Sequence, residues 1–266
     1  MANFDIKGKI ALVTGGANGI GLAYVQELLK NGLKAVSIVD INKAGVQVAA
    51  DINQKYGAGS AIFIETNVID KAQLAAAFEE TIKTLKGLDI VINNAGIMFD
   101  ADYIKEIDLN VTALTEGSLL AIKYIGKNNG GKGGVVANIA SILGLQKLSG
   151  CPIYVGTKHY VVGLTRSFGT PFFWEQTGIK FVTMCPGVTD TPLISEAGRF
   201  ALQGYPKLGE LLATELGSLP AQEPSNVAQG MITLITKGEN GSVWVSEGGE
   251  PVYEVAIPDR TTIRRT

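Results

Sequence analysis

Side chains that bind metals or form disulfides are scarce in this sequence. One histidine, His159, and two cysteines, Cys151 and Cys185, occur among 266 residues. The single histidine excludes a histidine-rich metal site, and two cysteines cannot form the disulfide framework of a small secreted domain. We therefore interpret the cysteines as small core residues, and we expect no bound metal and a reducing, cytoplasmic location.

The sequence also lacks a large excess of positive or negative charge, and it lacks long hydrophobic runs. Charged residues make up 18% of the chain, and the formal net charge of −2 gives no broad basic field for nucleic acid. No apolar run is long enough to cross a membrane, and the first residues carry charges where a signal peptide would be apolar. These absences predict a protein with neither a nucleic-acid partner nor a membrane span.

Short apolar runs alternate with longer helical patterns along the chain. The runs are rich in valine and isoleucine, as is typical of parallel strands that are covered on both faces. The predicted strands are Ile10–Val13, Ala35–Val39, Ala61–Glu65, Ile90–Asn93, Val135–Ile139, Lys180–Cys185 and Ser242–Val245.

Helical patterns fill the intervals between these strands. The repeated alternation predicts an α/β fold, a doubly wound parallel sheet of the Rossmann type. A chain of this length can form one such domain, so we expect a single domain over residues 1–266. The predicted helices are Ile20–Leu29, Lys43–Tyr56, Lys71–Leu85, Tyr103–Lys127, Tyr154–Phe168 and Ser225–Ile235.

The segment 193–220, near the C-terminal end, interrupts the alternation. A connection of this length in a compact domain is usually functional or forms helices of its own. We interpret it as a helical substrate lid. The alternative is a helical insertion that packs on the core or contacts another subunit. Its large apolar side chains are Phe200, Leu202, Tyr205, Leu208, Leu211 and Leu212.

A glycine-rich turn, TGGANGIG, follows the first predicted strand and precedes the first predicted helix. It contains Gly15, Gly19 and Gly21. Glycines allow the backbone to turn sharply and to approach a pyrophosphate, whose charge then meets a helix N-terminus. The position of the turn between a strand and a helix predicts a dinucleotide-binding site.

Asp40 ends the second predicted strand, where a carboxylate can accept hydrogen bonds from an adenosine ribose. A carboxylate there would repel a 2′-phosphate, whose binding requires a nearby cation. Asn18 and Ile41 occupy the two places where such a cation is expected, and Lys43 is predicted to lie inside the next helix. The sequence therefore favours NAD over NADP. The alternative is that Asp40 is only a turn residue at a strand end.

Tyr154 and Lys158 lie one helical turn apart, on one face of a predicted helix. A lysine cation close to a phenol lowers the pKa of the phenol, which suits proton transfer to or from a hydroxyl or carbonyl oxygen. Helix packing alone also produces this spacing. Asn93, Ser141 and Pro186 follow predicted strand ends, so we expect them at the same sheet edge, where ligands of such sheets bind.

Together these motifs resemble those of the short-chain dehydrogenases/reductases along almost the whole chain. TGGANGIG is similar to the cofactor loop of that family, and Asn93-Asn94-Ala95-Gly96 is similar to its NNAG motif. The segment 186–191, PGVTDT, resembles the motif that flanks the nicotinamide. The resemblance implies a catalytic tetrad of Asn110, Ser141, Tyr154 and Lys158.

The resemblance also implies which residues surround an NAD cofactor. Many family members have Asp-Val after the third strand, where this chain has Asn67-Val68, and an amide can still bind adenine. The implied cofactor-binding residues are Gly15, Asn18, Gly19, Ile20, Gly21, Asp40, Asn67, Val68, Asn93, Ala95, Gly96, Tyr154, Lys158, Pro186, Gly187, Thr189 and Thr191.

The roles that the resemblance implies are those of an alcohol oxidation. Tyr154 as phenolate removes the alcohol proton, Ser141 binds the same oxygen, and Lys158 binds the nicotinamide ribose. Asn110 orders a water that leads protons to solvent. The implied substrate-binding residues are Ser141, Leu143, Leu148 and Tyr154, with an apolar wall that includes Ile97, Met98, Phe99, Ile142 and Leu145.

A closer resemblance is to insect-type alcohol dehydrogenases and hydroxyprostaglandin dehydrogenases, carried by the segments 152–158 and 240–244. It implies NAD-dependent oxidation of a lipophilic primary or secondary alcohol, for example a farnesol-like isoprenoid or fatty alcohol. It also implies a homodimer, or a tetramer, assembled through Tyr103–Lys127 and Tyr154–Phe168. The alternatives are a carbonyl reductase working in the reverse direction and a catalytically silent NAD-binding protein with a structural or storage role.

Overall fold

The centre of the protein is a sheet whose strands are parallel except at one edge. The computed structural model describes residues 3–191, 199 and 201–264. The strands found there are β1 (Ile10–Thr14), β2 (Ala35–Asp40), β3 (Ala61–Glu65), β4 (Ile90–Asn93), β5 (Gly134–Ile139), β6 (Ile179–Pro186), β7 (Val243–Ser246) and β8 (Tyr253–Glu254).

The strand order is β3-β2-β1-β4-β5-β6-β7-β8, and β8 is the antiparallel member. The chain builds outward from β1 to β3 on one side and then from β4 to β7 on the other. This is the doubly wound α/β arrangement that the sequence predicts, and the fold prediction is confirmed. Each predicted strand is present within one residue at either end, whereas the two-residue β8 was not predicted.

Helices connect the parallel strands, and several begin as their sequences dictate. Asp70 caps α3 by accepting hydrogen bonds from the N–H groups of Ala72 and Gln73. Three helices begin with a proline, which has no N–H to leave unpaired in a first turn. The helices in the described residues are α1 (Gly19–Lys30), α2 (Gly45–Tyr56), α3 (Lys71–Leu85), α4 (Tyr103–Ile107), α5 (Leu114–Ile125), α6 (Pro152–Phe168), α7 (Pro171–Thr177), α8 (Leu208–Gly217) and α9 (Pro224–Lys237).

Two apolar layers cover the faces of the sheet. On one face, Tyr24 and Leu28 of α1 pack with Met231 of α9 against the strands. On the other face, Phe78 of α3 and Leu120 of α5 pack against the same strands. Both faces are therefore dry, which explains why the strand sequences are continuous apolar runs without alternation.

The predicted helix Tyr103–Lys127 is present, but it is not α-helical throughout and it ends at Ile125. The chain forms α4, then a π-helical segment at Asp108–Ala113, and only then α5, which ends at Ile125. The wider turn contains Asn110, whose amide exchanges two hydrogen bonds with the backbone of Ile97 at 2.8 and 2.9 Å. A tertiary contact thus fixes the interruption, and helical periodicity gave no sign of it.

A buried polar network links the centre of the sheet to the helices on one face. The Asn93 amide donates to Asn138 Oδ1 at 2.8 Å, and the Asn138 amide donates to Thr165 Oγ1 at 3.0 Å. Ser118 Oγ lies 3.3 Å from Asn138 Oδ1. Each of these polar groups is buried and satisfied, so the network ties β4, β5, α5 and α6 together at low energetic cost.

We expect Asn138→Ala to lower the free energy of unfolding by at least about 1–3 kcal/mol, because it leaves buried donors without their acceptor. Urea unfolding followed by circular dichroism measures the change. Gln54→Ala, on the exposed side of α2, is the control and should shift the midpoint very little. Equal stability of the two variants would contradict a stabilising role for the network.

Candidate active site

The carboxyl ends of β1, β4, β5 and β6 surround one cavity of about 390 Å³. It lies where the strand order reverses, between β1 and β4, as is general for ligand sites in open α/β sheets. The predicted site residues that line it are Gly15, Asn18, Gly19, Ile20, Gly21, Ala95, Gly96, Ser141, Leu143, Tyr154, Lys158, Pro186, Gly187, Thr189 and Thr191.

The turn between β1 and α1 has the geometry of an anion cradle. Gly15 and Gly19 have φ angles of +64° and +51°, which other residues adopt only with strain. A Cβ atom on Gly21 would overlap the carbonyl oxygen of Gly15. The Asn94 amide donates to Thr14 O at 2.9 Å and to Gly15 O at 3.2 Å, which fixes the turn. This turn fits a pyrophosphate at the N-terminus of α1.

Asp40 lies beside this turn at the end of β2. Its Oδ2 accepts from Ala17 N–H at 3.0 Å, and its Oδ1 accepts from Asn42 N–H at 2.9 Å. Asp40 is therefore a turn residue as well as a candidate for binding ribose. A carboxylate has about four acceptor positions, so two remain for ribose hydroxyl groups.

Four predicted cofactor residues, Asp40 among them, lie outside the walls of the cavity. Asn67 and Val68 follow β3 at the same sheet edge, and Asn67 Oδ1 accepts from Ile69 N–H at 3.2 Å. Asn93 directs its side chain into the buried network instead of the cavity. Lys43 precedes α2, contrary to the sequence prediction, and its Nζ is 3.6 Å from a Glu65 carboxylate oxygen.

Ser141, Tyr154 and Lys158 meet at the inner end of the cavity. The Ser141 hydroxyl lies close to the Tyr154 phenol. Its Oγ accepts from Leu143 N–H at 3.1 Å and donates to Pro186 O at 3.5 Å. Lys158 Nζ lies 5.4 Å from the centroid of the Tyr154 ring and donates to Ile139 O at 3.1 Å. The predicted juxtaposition of the hydroxyl, the phenol and the ammonium group is therefore present, and all three side chains are buried.

The sequence predicts a lowered pKa for Tyr154. For the protein without a cofactor, this prediction is wrong. Burial raises the pKa of the Tyr154 phenol well above its usual value, and Cys151 adds to the rise, while the hydrogen bond from Ser141 opposes it. Burial lowers the pKa of Lys158 to about 8. The ammonium group faces the ring and the Ile139 carbonyl oxygen, so it does not outweigh desolvation of the phenolate.

Asn110 lies behind these residues. Its Oδ1 accepts from Ile97 N–H at 2.9 Å, and its amide donates to Thr157 Oγ1 at 3.1 Å. Asn110 Oδ1 and Lys158 Nζ both approach Gly96 on the side where a Cβ atom would lie. Asn110 is fully buried and does not line the cavity, so the tetrad that the resemblance implies is one connected group of which only part faces the ligand space.

Asp100 fixes the start of α6, a role that no sequence pattern predicted. Its two carboxylate oxygens accept from the N–H groups of Ile153 and Tyr154 at 2.9 and 3.1 Å. These are first-turn N–H groups of α6, which have no partner within the helix. No local motif marks Asp100, because its partners lie far along the sequence.

Part of the predicted lid closes the outer wall of the cavity. Residues 193–198 and Phe200 lie outside the described residues. In the described part, Leu216 of α8 and Leu219 line the cavity, and Leu212 is buried against the loop before α6. Glu215 accepts from Gly150 N–H at 2.8 Å and from Ser149 N–H at 3.3 Å, which attaches α8 to that loop.

The apolar wall differs in part from the prediction. Leu148 is half-buried within the apolar cluster around Tyr154 but does not line the cavity. Sequence periodicity could not identify the residues that the lid contributes. Of the predicted apolar wall, Ile97, Met98 and Ile142 line the cavity, whereas Phe99 and Leu145 do not. The lining residues that were not predicted as site residues are Asn94, Ile139, Ala140, Val188, Leu216 and Leu219.

Two negative findings limit the kinds of site that the described residues form. Every helix among them is too short or too polar to cross a lipid bilayer. In that same part of the chain, no group of three or more His, Cys, Asp or Glu side chains is placed to hold a metal ion.

Comparison with known proteins agrees with this geometry. The chain is 34% identical to 15-hydroxyprostaglandin dehydrogenase (NAD(+)) of Bos taurus over 232 residues, which cover 86% of this chain and 87% of that protein. It is 30% identical to alcohol dehydrogenase 1 of Ceratitis capitata over 248 residues, or 92% of this chain and 94% of the other. Both relatives belong to the branch that the sequence resembles, and that prediction is confirmed.

Solved structures show the same fold. The structure is similar to that of 3-ketoacyl-(acyl-carrier-protein) reductase from Brucella melitensis complexed with NADH, with a TM-score of 0.76 at 24% identity, covering 92% of this chain and 98% of that one. The family model described as short chain dehydrogenase matches residues 9–200. The chain therefore belongs to the short chain dehydrogenase family, a family of oxidoreductases.

Proposed function

We propose that this protein is an NAD-dependent dehydrogenase that oxidises a lipophilic primary or secondary alcohol to an aldehyde or ketone. One observation carries the proposal. A single cavity is bounded by the anion-binding turn at Gly15–Gly21, by the Ser141, Tyr154 and Lys158 side chains, and by an apolar wall. A dinucleotide, a proton-transfer group and an apolar substrate can therefore occupy adjacent parts of one space.

The choice of NAD is supported at the adenosine end. Asp40 retains acceptor positions for ribose hydroxyl groups and would repel a 2′-phosphate. Lys43, the nearest cation along the sequence, is paired with Glu65. The relatives named above include one whose name specifies NAD(+). At the other end, the Thr189 and Thr191 segment and the Gly96 backbone would hold the nicotinamide.

The proposed chemistry uses Tyr154 as the general base. When bound, oxidised nicotinamide supplies the hydride acceptor and a positive charge near the phenol. That charge would favour the phenolate, which burial alone disfavours. Tyr154 then takes the hydroxyl proton of the alcohol, and Ser141 donates a hydrogen bond to the same alcohol oxygen. Lys158 would bind the nicotinamide ribose, and Asn110 would order a water behind it.

The proposed substrate is apolar because the wall next to Tyr154 is apolar. Met98, Leu143 and Val188 contribute to it from the sheet edge, and Leu216 and Leu219 contribute from the lid. These side chains offer no hydrogen-bond partner for a hydroxyl group of a sugar or for a carboxylate on the substrate. A farnesol-like isoprenoid alcohol or a fatty alcohol satisfies this chemistry.

The proposal includes a homodimer. Large apolar side chains are exposed on α4, α5 and α6, the helices through which the resemblance implies assembly. They are Tyr103, Ile104, Ile107, Leu119 and Tyr160.

We expect Tyr154→Phe to lower kcat by about 10²–10⁴-fold, the usual contribution of general acid–base catalysis. The affinity for NAD should change by less than about twofold, because the ring is retained. NADH absorbance with a panel of alcohols measures turnover, and calorimetry measures NAD binding. Tyr56→Phe, at the end of α2 and outside the cavity walls, is the matched control.

Retained turnover in Tyr154→Phe would exclude Tyr154 as the base. If the unmodified protein oxidises no alcohol but reduces apolar aldehydes or ketones with NADH, the reductase alternative is correct. If it binds NAD and transfers hydride in neither direction, it is a silent cofactor-binding protein.

We expect Asp40→Ala to weaken NAD binding by at least about tenfold, because hydrogen bonds to a charged group contribute about 1.5–3 kcal/mol. The preference for NAD over NADP should fall as well, since the repulsive charge is gone. Calorimetric titration with both cofactors measures these changes, with Asp51→Ala on the exposed side of α2 as the control. Unchanged affinities would leave Asp40 only its role in the turn.

We expect Glu215→Ala to raise KM for a long-chain alcohol by about tenfold, because two charge-assisted hydrogen bonds that hold α8 over the cavity are lost. Affinity for NAD should stay constant, since Glu215 lies outside the walls of the cavity. Steady-state kinetics measures the effect. Glu210→Ala, exposed on the same helix, is the control, and equal KM values for the two variants would contradict the lid.

A further inference from the structure

Two carboxyl groups are buried together beneath the start of α6, outside the walls of the cavity. Asp100 lies in the short helical turn after β4, and Glu106 lies in α4. Their exposed fractions are 1% and 0%. Aspartate and glutamate are almost never fully buried unless they are paired with a partner, and here each is the neighbour of another acid.

The two groups have unequal hydrogen-bond partners. Asp100 accepts two N–H groups, from Ile153 and Tyr154, at the N-terminus of α6, where a negative charge is stabilised. Glu106 Oε1 accepts from Phe99 N–H at 3.0 Å. Its Oε2 has no N–H or hydroxyl donor in the part of the chain that the structure describes. Asp100 is therefore suited to the charged form, and Glu106 is not.

The surrounding charges give the same assignment. Burial raises the pKa of Glu106 to about 8, with the Phe99 hydrogen bond opposing the rise and the charge and hydrogen bond of Asp100 adding to it. The other titratable groups that face Glu106 are Lys158, Tyr154 and Cys151. With Glu106 neutral, this buried group holds one anion, Asp100, and one cation, Lys158.

We propose that Glu106 carries a proton at neutral pH and shares it in a hydrogen bond with Asp100, so that the acid pair acts as a positioning device for Tyr154. The proton gives Glu106 Oε2 a hydrogen-bond partner. It also keeps the Asp100 carboxylate bound to the N–H groups in the first turn of α6. The inference rests on the proposed function, because it concerns the residue that is assigned there as the base.

Ionisation of Glu106 would have two consequences at the active site. A second carboxylate would repel Asp100 from its place beneath α6, which would move the backbone of Tyr154. The same charge would further raise the pKa of the Tyr154 phenol and make the phenolate harder to form. Both effects lower turnover as pH rises, and neither requires Glu106 to touch the substrate.

Glu106→Gln is the decisive variant. Glutamine keeps an acceptor for Phe99 N–H and a donor for Asp100, and it cannot ionise. We expect its kcat to equal that of the unmodified protein at neutral pH, and the ratio of the two kcat values to rise in favour of the variant as pH increases through about 8. KM for NAD should not differ. Glu106→Leu, which removes the donor, should lower kcat at every pH, and Glu116→Gln in α5 is the matched control.

Two measurements on the ligand-free protein test the proton directly. Infrared difference spectra between the unmodified protein and Glu106→Gln should show the C=O stretch of a protonated carboxylic acid at neutral pH, disappearing near pH 8. Stability should follow the same group. Because folding raises the pKa of Glu106 from about 4.5 to about 8, the unmodified protein loses stability across that range as pH rises, and Glu106→Gln does not lose that part.

The outcomes separate this inference from the proposed function. An active protein that lacks the infrared band, or a Glu106→Gln variant with the pH profile of the unmodified protein, overturns the acid pair and leaves the function standing. A titrating band in a protein that oxidises no alcohol and reduces no carbonyl compound overturns both the function and the positioning role, although the shared proton is then established.

Discussion

Parallel pairing of the strands is the constraint on which the whole site depends. Because β1, β4, β5 and β6 run in one direction, their carboxyl ends lie at one edge, and the chain leaves each of them into the cavity wall. The ladder continues beyond the strand ends, since Gly15 N–H donates to Val39 O, Ala140 N–H to Met184 O and Gly187 N–H to Ser246 O, each at 2.8 Å. The first residue beyond each of β1, β5 and β6 is therefore hydrogen-bonded to the neighbouring strand, which fixes where the backbone enters the cavity wall.

Burial excludes water from this edge of the sheet. It also disfavours the charged forms of Lys158 and Tyr154, which the proposed proton transfer requires. Lowering the pKa of Lys158 from 10.5 to about 8 corresponds to a destabilisation of its charged form on the order of 3 kcal/mol. Burial likewise disfavours the charged form of Tyr154, the phenolate, and so raises the pKa of the phenol. The protein alone thus holds the phenol neutral, and the charge that a bound cofactor brings would be required to reverse that balance. In the proposed reaction, proton transfer and cofactor binding would therefore be coupled through this shared electrostatic cost.

Local sequence rules predicted the sheet and the cofactor turn well, because both depend on neighbours in the chain. The Val- and Ile-rich runs located the seven predicted strands, and the glycine spacing located the tight turn between β1 and α1. Contacts between distant segments were not predictable in this way. The π-helical turn at Asn110 depends on hydrogen bonds with the backbone of Ile97. The start of α6 depends on hydrogen bonds to the carboxylate of Asp100. Leu148 and Leu143 are close in sequence, but only Leu143 reaches the cavity, since the direction of each side chain in that loop is set by packing.

A perturbed pKa does not by itself identify a functional group in this protein. Burial lowers the pKa of Lys180 to about 8, as it does for Lys158. Lys180 Nζ, however, donates to Ile235 O at 2.7 Å and Gly238 O at 3.0 Å, at the end of α9, and it lies outside the cavity wall. Its cation satisfies the last carbonyl groups of a helix, which is a structural role.

Lys158 differs because a phenol, a hydroxyl and a ligand-sized space converge on it. Glu106 differs because its neighbour is another acid, at the start of α6. The arrangement of partners around a buried charge, more than the size of its pKa shift, distinguishes a group that supports the fold from one that serves the site.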